Sequence, residues 1–315
     1  MTPGWHALTE RLRLPPSDRH DLPTSPSRFA DGGQYRVEIP SVEGPAALAA
    51  VFAAGRDLGV PIHRISQGSG IGLLRDEEVT EMVRLGSEER VEVCLFVGPR
   101  APWEGTAAAL VPDGRVIGWR HTGMDQLSYA FGDVERAVAL GIRSVLLADE
   151  GLIWLVGQAR ASGQLPSDLV VKASALLGLA NPVGIRLVAE AGLGSVNISS
   201  ETTLARLGAM RQVLVDLPLD LYVEGPDGLG GFVRHHEVGE IVRIGAPVYL
   251  KFGLRNAPNI YPSGVHLEPV AIATARERVR RAAIGLEHLQ RALPEAVISP
   301  PGSADLGVPV GDRSP

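Results

Sequence analysis

Charged side chains occur inside or at the ends of apolar segments that have the length of β-strands. Glu38, Lys172, Glu224 and Lys251 each lie in such a segment, among Val, Ile and Leu. Two lysines held close together lower each other's pKa, which suits a general base, a Schiff-base nucleophile or a clamp for a carboxylate. Carboxylates beside them suit general acid–base catalysis or a divalent metal ion. We therefore predict these four residues as catalytic.

The elements that must position these residues repeat along the chain. Apolar segments alternate eight times with helical patterns, and the predicted strands are 35–42, 62–68, 91–98, 142–149, 169–176, 195–200, 219–225 and 248–253. Asn181-Pro182 predicts a helix start, and Gly59, Gly141 and Gly192 predict helix ends. Eight strand–helix units predict a (β/α)8 TIM barrel. An open doubly wound sheet is the alternative, and the missing dinucleotide fingerprint favours the barrel.

Composition divides the chain into three parts. Residues 1–33 are predicted to be an N-terminal extension, either an arm or a partly disordered segment; 34–293 are the TIM barrel; 294–315 are a Pro/Gly-rich C-terminal tail. A long loop, 99–132, separates the third strand from its helix. Its length and its aromatic residues predict a lid over the barrel mouth that excludes water.

Alternation predicts which side chains face the barrel interior, because the outer face of each strand meets helices and must be apolar. The polar or charged residues placed inside are Arg36, Glu38, Arg64, Ser66, Lys172, Ser174, Asn197, Ser199, Tyr222, Glu224 and Lys251. Most lie near the carboxyl ends of the strands, where barrel enzymes have their active sites. Buried charges must be paired or wet. Two interpretations remain: an ion-pair network that links Glu38 and Glu224 with the cations, or a solvated pocket for a polar ligand.

Polar loops at the same end supply the predicted substrate contacts. The glycine-rich loop 66–78 is predicted to be an anion-binding nest or, alternatively, a flexible turn. Loop 251–269 follows the eighth strand, a position that often binds phosphate in barrels. The predicted substrate-binding residues are Arg64, Gln67, Ser69, Arg100, Asn197, Ser199, Asp227, Arg255, Asn256, Tyr261 and His266. Asp149-Glu150 is either a metal or acid–base pair or a helix N-terminal charge, and His235-His236 is more typical of a helix start than of a metal site.

Charge and cysteine content restrict the partners. A net charge of −6 and a pI near 5.8 argue against binding to nucleic acid. The single cysteine, Cys94, excludes an intrachain disulfide framework and a Cys-ligated iron–sulfur cluster. The cofactor is therefore unknown, and a divalent metal stays open. Without an apolar signal or a membrane-length apolar run, we expect a soluble, cytoplasmic protein with a small-molecule substrate; a homo-oligomer stays open.

The segment "VNISSETTLARLGAMRQVLVDLPLDLYVEGPDGLGG" resembles the U32 peptidase (collagenase-like) family. The residues that carry the resemblance are Ser199, Ser200, Glu201, Tyr222, Val223 and Gly225. The resemblance covers about 140–255 and implies a barrel-type fold. The family's signature continues into spaced cysteines, where this chain has "PDGLGGFVRHH". It therefore implies the architecture rather than peptidase or iron–sulfur chemistry.

Together these patterns predict a TIM-barrel enzyme, U32 peptidase-like, that acts on a small anionic or carboxylate-bearing substrate. The site would lie at the C-terminal barrel mouth and use Lys/Glu acid–base or electrostatic chemistry, in a lyase- or isomerase-type reaction or a hydrolysis. One alternative is a metal-assisted hydrolase that works through Glu38, Asp149 and Glu224. The other is a barrel that binds a ligand without catalysis.

Overall fold

Eight parallel strands close into a barrel, and each strand pairs with its neighbours in sequence order, β8 returning to β1. The structure is a computed structural model that describes residues 2–18, 21–98 and 119–311. The strands are β1 (Tyr35–Pro40), β2 (Arg64–Ser66), β3 (Glu92–Val97), β4 (Ser144–Leu147), β5 (Val170–Ala173), β6 (Ser195–Asn197), β7 (Leu219–Glu224) and β8 (Val248–Phe252). The predicted (β/α)8 TIM barrel is confirmed.

A helix follows each strand, and one more precedes the barrel. The helices are α1 (Pro3–Leu12), α2 (Pro45–Leu58), α3 (Asp76–Glu89), α4 (Gly123–Ala139), α5 (Glu150–Ala161), α6 (Pro182–Ala189), α7 (Leu204–Val213), α8 (Val238–Gly245) and α9 (Glu268–Ala292). Asn181 caps α6 and Gly59 ends α2 in a left-handed conformation, both as predicted. Within the described ranges, no helix has the length and apolar character that a membrane crossing requires.

The connection after β3 is shorter than the sequence indicates. The predicted loop 99–132 ends early because α4 already begins at Gly123. Tyr129, expected in that loop, lies exposed on α4, whereas Trp119 packs against the apolar residues at the top of β3 and β4. The remaining part, 99–118, lies outside the described residues, so the predicted lid stays a prediction.

The outward faces of the strands form the main core against the helices. Val37 and Ile39 of β1, Ile65 of β2 and Leu250 of β8 are fully buried there, in the alternation that the sequence predicts. Where a strand has no bulge, its interior-facing positions are thereby fixed as well, because neighbouring residues of a strand point to opposite faces.

Both chain ends pack over the amino-terminal end of the barrel. The Arg36 guanidinium points to that end, where it contacts Asp31 at 2.8 Å, Asp305 at 2.6 Å and the Ser299 hydroxyl at 3.0 Å. It also stacks on the Phe29 ring, 3.9 Å from the ring centroid. Parts of the predicted extension and tail thus close the barrel bottom, opposite the mouth.

Candidate active site at the barrel mouth

The barrel interior holds a network of six buried charged side chains. The carboxylates are Glu38, Glu92 and Asp220, and the cations are Arg64, Lys172 and Lys251. Three negative and three positive charges sum to zero. The network is therefore neutral as a unit, which is the condition under which charges are tolerated in a dry interior.

Glu38 is the hub of this network. It contacts Lys172 closely, Lys251 at 3.0 Å and Arg64 at 3.3 Å, and it accepts a hydrogen bond from the Ser66 hydroxyl. Burial alone would raise the pKa of Glu38, but the three cations hold that pKa well below its usual range. Glu38 is therefore held ionised, and the structure brings it together with Arg64, Lys172 and Lys251, as the sequence indicates.

Two members of the network are missing from the sequence prediction. Glu92 accepts from Arg64 Nε at 2.7 Å and from the Ser144 hydroxyl at 2.6 Å. Asp220 lies 3.0 Å from Lys172 Nζ and 3.2 Å from an Arg64 nitrogen. Both stand at the beginnings of predicted strands, and extending the alternation of β3 and β7 toward the amino end would have placed them inside.

The two lysines differ in how fully they are paired. Lys172 contacts two carboxylates, those of Glu38 and Asp220, and its side chain is fully buried. Lys251 contacts one, that of Glu38, and its ammonium lies 4.7 Å from the centroid of the Tyr222 ring. An ammonium has three N–H donors. Lys251 therefore has fewer carboxylate partners than Lys172, and its N–H donors are less fully used by carboxylates.

Asn197 is the last residue of β6, where it pairs in register with Asp220 of β7. Its side chain is buried, and its Oδ1 atom has no hydrogen-bond partner in the described part of the chain. Across the interior, Phe96 and Leu146 form an apolar wall against which Trp119 packs. The upper interior thus combines an incompletely bonded amide and ammonium with an apolar face, a combination typical of small-molecule sites.

Glu224 does not belong to the network, contrary to the sequence interpretation that links it with Glu38. The pairing of β7 with β8 shifts register between Tyr222 and Glu224, and such a bulge re-aims the following side chain. The carboxylate of Glu224 accepts from the Arg255 amide at 2.9 Å and lies 3.7 Å from His235 Nε2. It also lies 3.8 Å from Arg281 Nε of α9. Glu224 is therefore separated from the paired lysines.

The glycine-rich loop after β2 does not present an open nest. The amides of Gly68 and Ser69 donate to the Glu43 carboxylate at 2.7 and 3.0 Å, so the chain itself supplies the anion. Gln67 bonds to the backbone of Gly70, and the Ser69 hydroxyl accepts from the Ser263 amide. Gln67 and Ser69 are buried and brace loops at the mouth.

The other predicted substrate contacts are spread along the rim. Asp227 pairs with Arg255 and accepts from the Asn256 amide, and these three side chains are exposed. Tyr261 donates to Ser41, Ser199 is half-buried, and His266 is exposed. Arg100 lies outside the described residues.

The acidic pair after β4 has a structural role. Asp149 caps α5 by accepting from the Leu152 amide at 2.8 Å and also accepts from the His121 amide at 3.0 Å. Among the described residues, no group of three or more His, Cys, Asp or Glu side chains is arranged to hold a metal ion. Asp149, Glu38 and Glu224, the carboxylates of the metal-assisted alternative, each have their own separate partners.

Comparison with known proteins assigns the chain to no family. No protein-family model and no curated protein matches the chain. Among solved structures, it is similar to the YdjI aldolase from Escherichia coli K12, with 16% identity and a TM-score of 0.49 over 82% of this chain and 94% of that one. It is also similar to dihydrodipicolinate synthase from Bacteroides thetaiotaomicron, with 14% identity and a TM-score of 0.43 over 88% and 94%.

A U32 peptidase is among the matching structures, with 14% identity and a TM-score of 0.39 over 90% of this chain and 94% of that one. Lyases also match, among them N-acetylneuraminate lyase from Mycoplasma synoviae. At these identities the similarities concern the barrel fold alone. The barrel-type fold that the resemblance at residues 196–231 implies is the one that the strand pairing shows.

Proposed function

We propose that this protein is a TIM-barrel enzyme that acts on a small carboxylate-bearing molecule at the C-terminal mouth of the barrel. Lys251 is the residue that meets the substrate, as a clamp for its carboxylate or as the group that transfers a proton. Lys172 and Arg64 hold Glu38, which in turn holds Lys251. The reaction is of lyase or isomerase type, in which Lys251 holds the carboxylate or transfers a proton and the ionised Glu38 positions Lys251.

The observation that carries this proposal is the unequal pairing of the two lysines. A purely structural network would satisfy each ammonium to a similar extent, as Lys172 is satisfied by two carboxylates. Lys251 has one carboxylate partner, and the buried Asn197 of β6 has an unpartnered Oδ1. Buried polar groups without partners are costly, and enzymes tolerate them where a ligand completes the bonding.

The experiment is a screen of small 2-oxo, 2-hydroxy and dicarboxylic acids against the wild type, Lys251→Met and Arg280→Met. Arg280 is an exposed cation on α9 and serves as the matched control. We expect one or more acids to raise the melting temperature and to be converted by the wild type and the control, but not by Lys251→Met. Circular dichroism checks that Lys251→Met is folded. Normal binding and turnover by folded Lys251→Met would place the site elsewhere.

The same screen separates the alternatives. Binding without turnover across the panel would favour a ligand-binding barrel without catalysis. Turnover that depends on an added divalent ion would favour a metal-assisted hydrolase. Glu224→Gln is then the variant to test, because one oxygen of the Glu224 carboxylate lacks a hydrogen-bond partner in the described part of the chain.

A further inference from the structure

A second buried cation reaches the barrel mouth from α9. Arg278 is only 4% exposed, and its NH1 group donates to the Ser41 carbonyl at 3.4 Å and to the Thr274 hydroxyl at 3.2 Å. Its Nε atom has no hydrogen-bond partner. No carboxylate of the described residues lies within 4.0 Å of its guanidinium.

Other buried arginines of the described chain are compensated. Arg64 and Arg36 are paired with carboxylates. Arg211 lacks a carboxylate partner but donates to five backbone carbonyls, among them those of Gly245 and Pro247, so that its donors are used. Arg278 has neither kind of compensation. A buried charge left in this state is unfavourable unless another anion completes it.

The acids nearest to Arg278 are committed elsewhere. Glu43 and Glu224 both act on Arg278 electrostatically, from beyond ion-pair distance. Glu43 is held by the amides of Gly68 and Ser69. One oxygen of Glu224 accepts from the Arg255 amide, and the other lies 3.8 Å from Arg281 Nε, so the cation nearest to this carboxylate is not Arg278. Burial lowers the pKa of Arg278, whereas the carboxylates around Arg64 raise the pKa of that residue despite its burial.

Arg278 and Lys251 approach the same side chain. Tyr222 lies within electrostatic range of Arg278, and its ring lies 4.7 Å from the Lys251 ammonium. Arg278 also faces Ser41 and Tyr261, on the loops that follow β1 and β8. Parallel strands end at the same edge of a barrel, so these loops border the mouth above β8, which carries Lys251.

We infer that Arg278 anchors a second anionic group of the substrate, a carboxylate or a phosphate, while Lys251 meets the first. This inference rests on the proposed function and narrows the substrate class to small molecules with two anionic groups. A guanidinium is suited to this role because its planar N–H fork matches the two oxygens of a carboxylate or phosphate.

The test measures the melting temperature of the full chain with malonate, succinate or inorganic phosphate, each against chloride at matched ionic strength. We expect a saturable rise for the wild type and for Arg280→Met. Arg278→Met should weaken the apparent affinity about 10- to 100-fold, the usual range for a lost charged hydrogen bond. In the absence of anion, Arg278→Met should melt at or above the wild-type temperature, because it removes an uncompensated buried charge.

Arg278→Lys is a second variant that keeps the positive charge but loses the planar pair of N–H donors. It provides the measurement if Arg278→Met does not fold. It should weaken the apparent affinity about 10-fold. Unchanged affinity in either folded variant overturns the role of Arg278, as does a wild type that responds to none of the three anions. The proposed function is judged separately. If Lys251→Met loses the response to the anions while Arg278→Met keeps it, the proposed site at Lys251 stands and only the role of Arg278 is rejected.

Discussion

The neutral ion network inside the barrel makes Glu38 the most sensitive position for stability. Glu38→Gln keeps the size and shape of the side chain and removes one negative charge. Three cations then face two carboxylates, 3 − 2 = 1, so one positive charge remains uncompensated in the interior. Removing one partner of a buried ion pair typically costs about 3–5 kcal/mol.

This cost translates into a measurable change in melting temperature. A chain of 315 residues has an unfolding entropy of about 0.66 kcal/mol/K, from roughly 2.1 cal/mol/K per residue. The expected decrease for Glu38→Gln is therefore about 5–8 °C. Lys251→Met should decrease it less, because Glu38 then keeps Lys172, Arg64 and the Ser66 hydroxyl as partners.

The double variant Glu38→Gln/Lys251→Met tests the coupling. It restores two charges of each sign, so its destabilisation should be smaller than the sum of the single variants by about 0.5–3 kcal/mol. Thermal and urea denaturation followed by circular dichroism measure all three. Glu81→Gln, which breaks an exposed pair with Arg84, is the control and should leave the melting temperature unchanged. A decrease of less than about 2 °C for Glu38→Gln would refute the network as a stabilising unit.

Three further perturbations have defined outcomes. Burial lowers the pKa of His63 to about 4, so the unfolded chain binds the proton more readily than the folded chain. The free energy of unfolding should therefore fall by about 2 kcal/mol as pH decreases from 7 to 5. Denaturation at several pH values should show a smaller dependence of stability on pH for His63→Gln. Gly253→Ala would place the new Cβ atom 2.6 Å from the Glu224 carbonyl oxygen of β7 and should destabilise the fold by about 1–3 kcal/mol. Gly228→Ala is the control, because the space around Gly228 is open. Equal melting temperatures for the two variants would contradict this packing. Deleting 296–315 removes Ser299 and Asp305, two of the partners of Arg36, and should lower the melting temperature by more than about 5 °C. An unchanged melting temperature would contradict this role of the C-terminal segment.

The barrel and much of its interior could be predicted from the sequence because both depend on local alternation. Lys172, Lys251, Arg64 and Glu38 stand at inward positions of short strands whose outward neighbours are apolar. The choice of partners could not be predicted in the same way. It depends on the stagger of neighbouring strands, which pairs Glu38 with Arg64 on one side and Lys251 on the other.

Tertiary contacts explain the predictions that the structure corrects. A bulge that shifts the register of β7 against β8 separates Glu224 from the lysines, and alternation assumes a strand without bulges. Glu43 fills the glycine-rich loop although it lies 25 residues away from Gly68. Arg278 is absent from the sequence prediction because it lies on a helix, among several arginines whose burial no local pattern reveals.

Charge compensation separates the structural part of the barrel from the part available to a ligand. Inside the barrel the three carboxylates meet three cations, Lys251 included, and the charges sum to zero. Toward the mouth the compensation is incomplete: Lys251 has one carboxylate, Asn197 Oδ1 has no partner, and Arg278 has no carboxylate among the described residues. Arg278 is thus the buried cation at the mouth that no described carboxylate pairs, and an anionic ligand there is the arrangement that accounts for its burial.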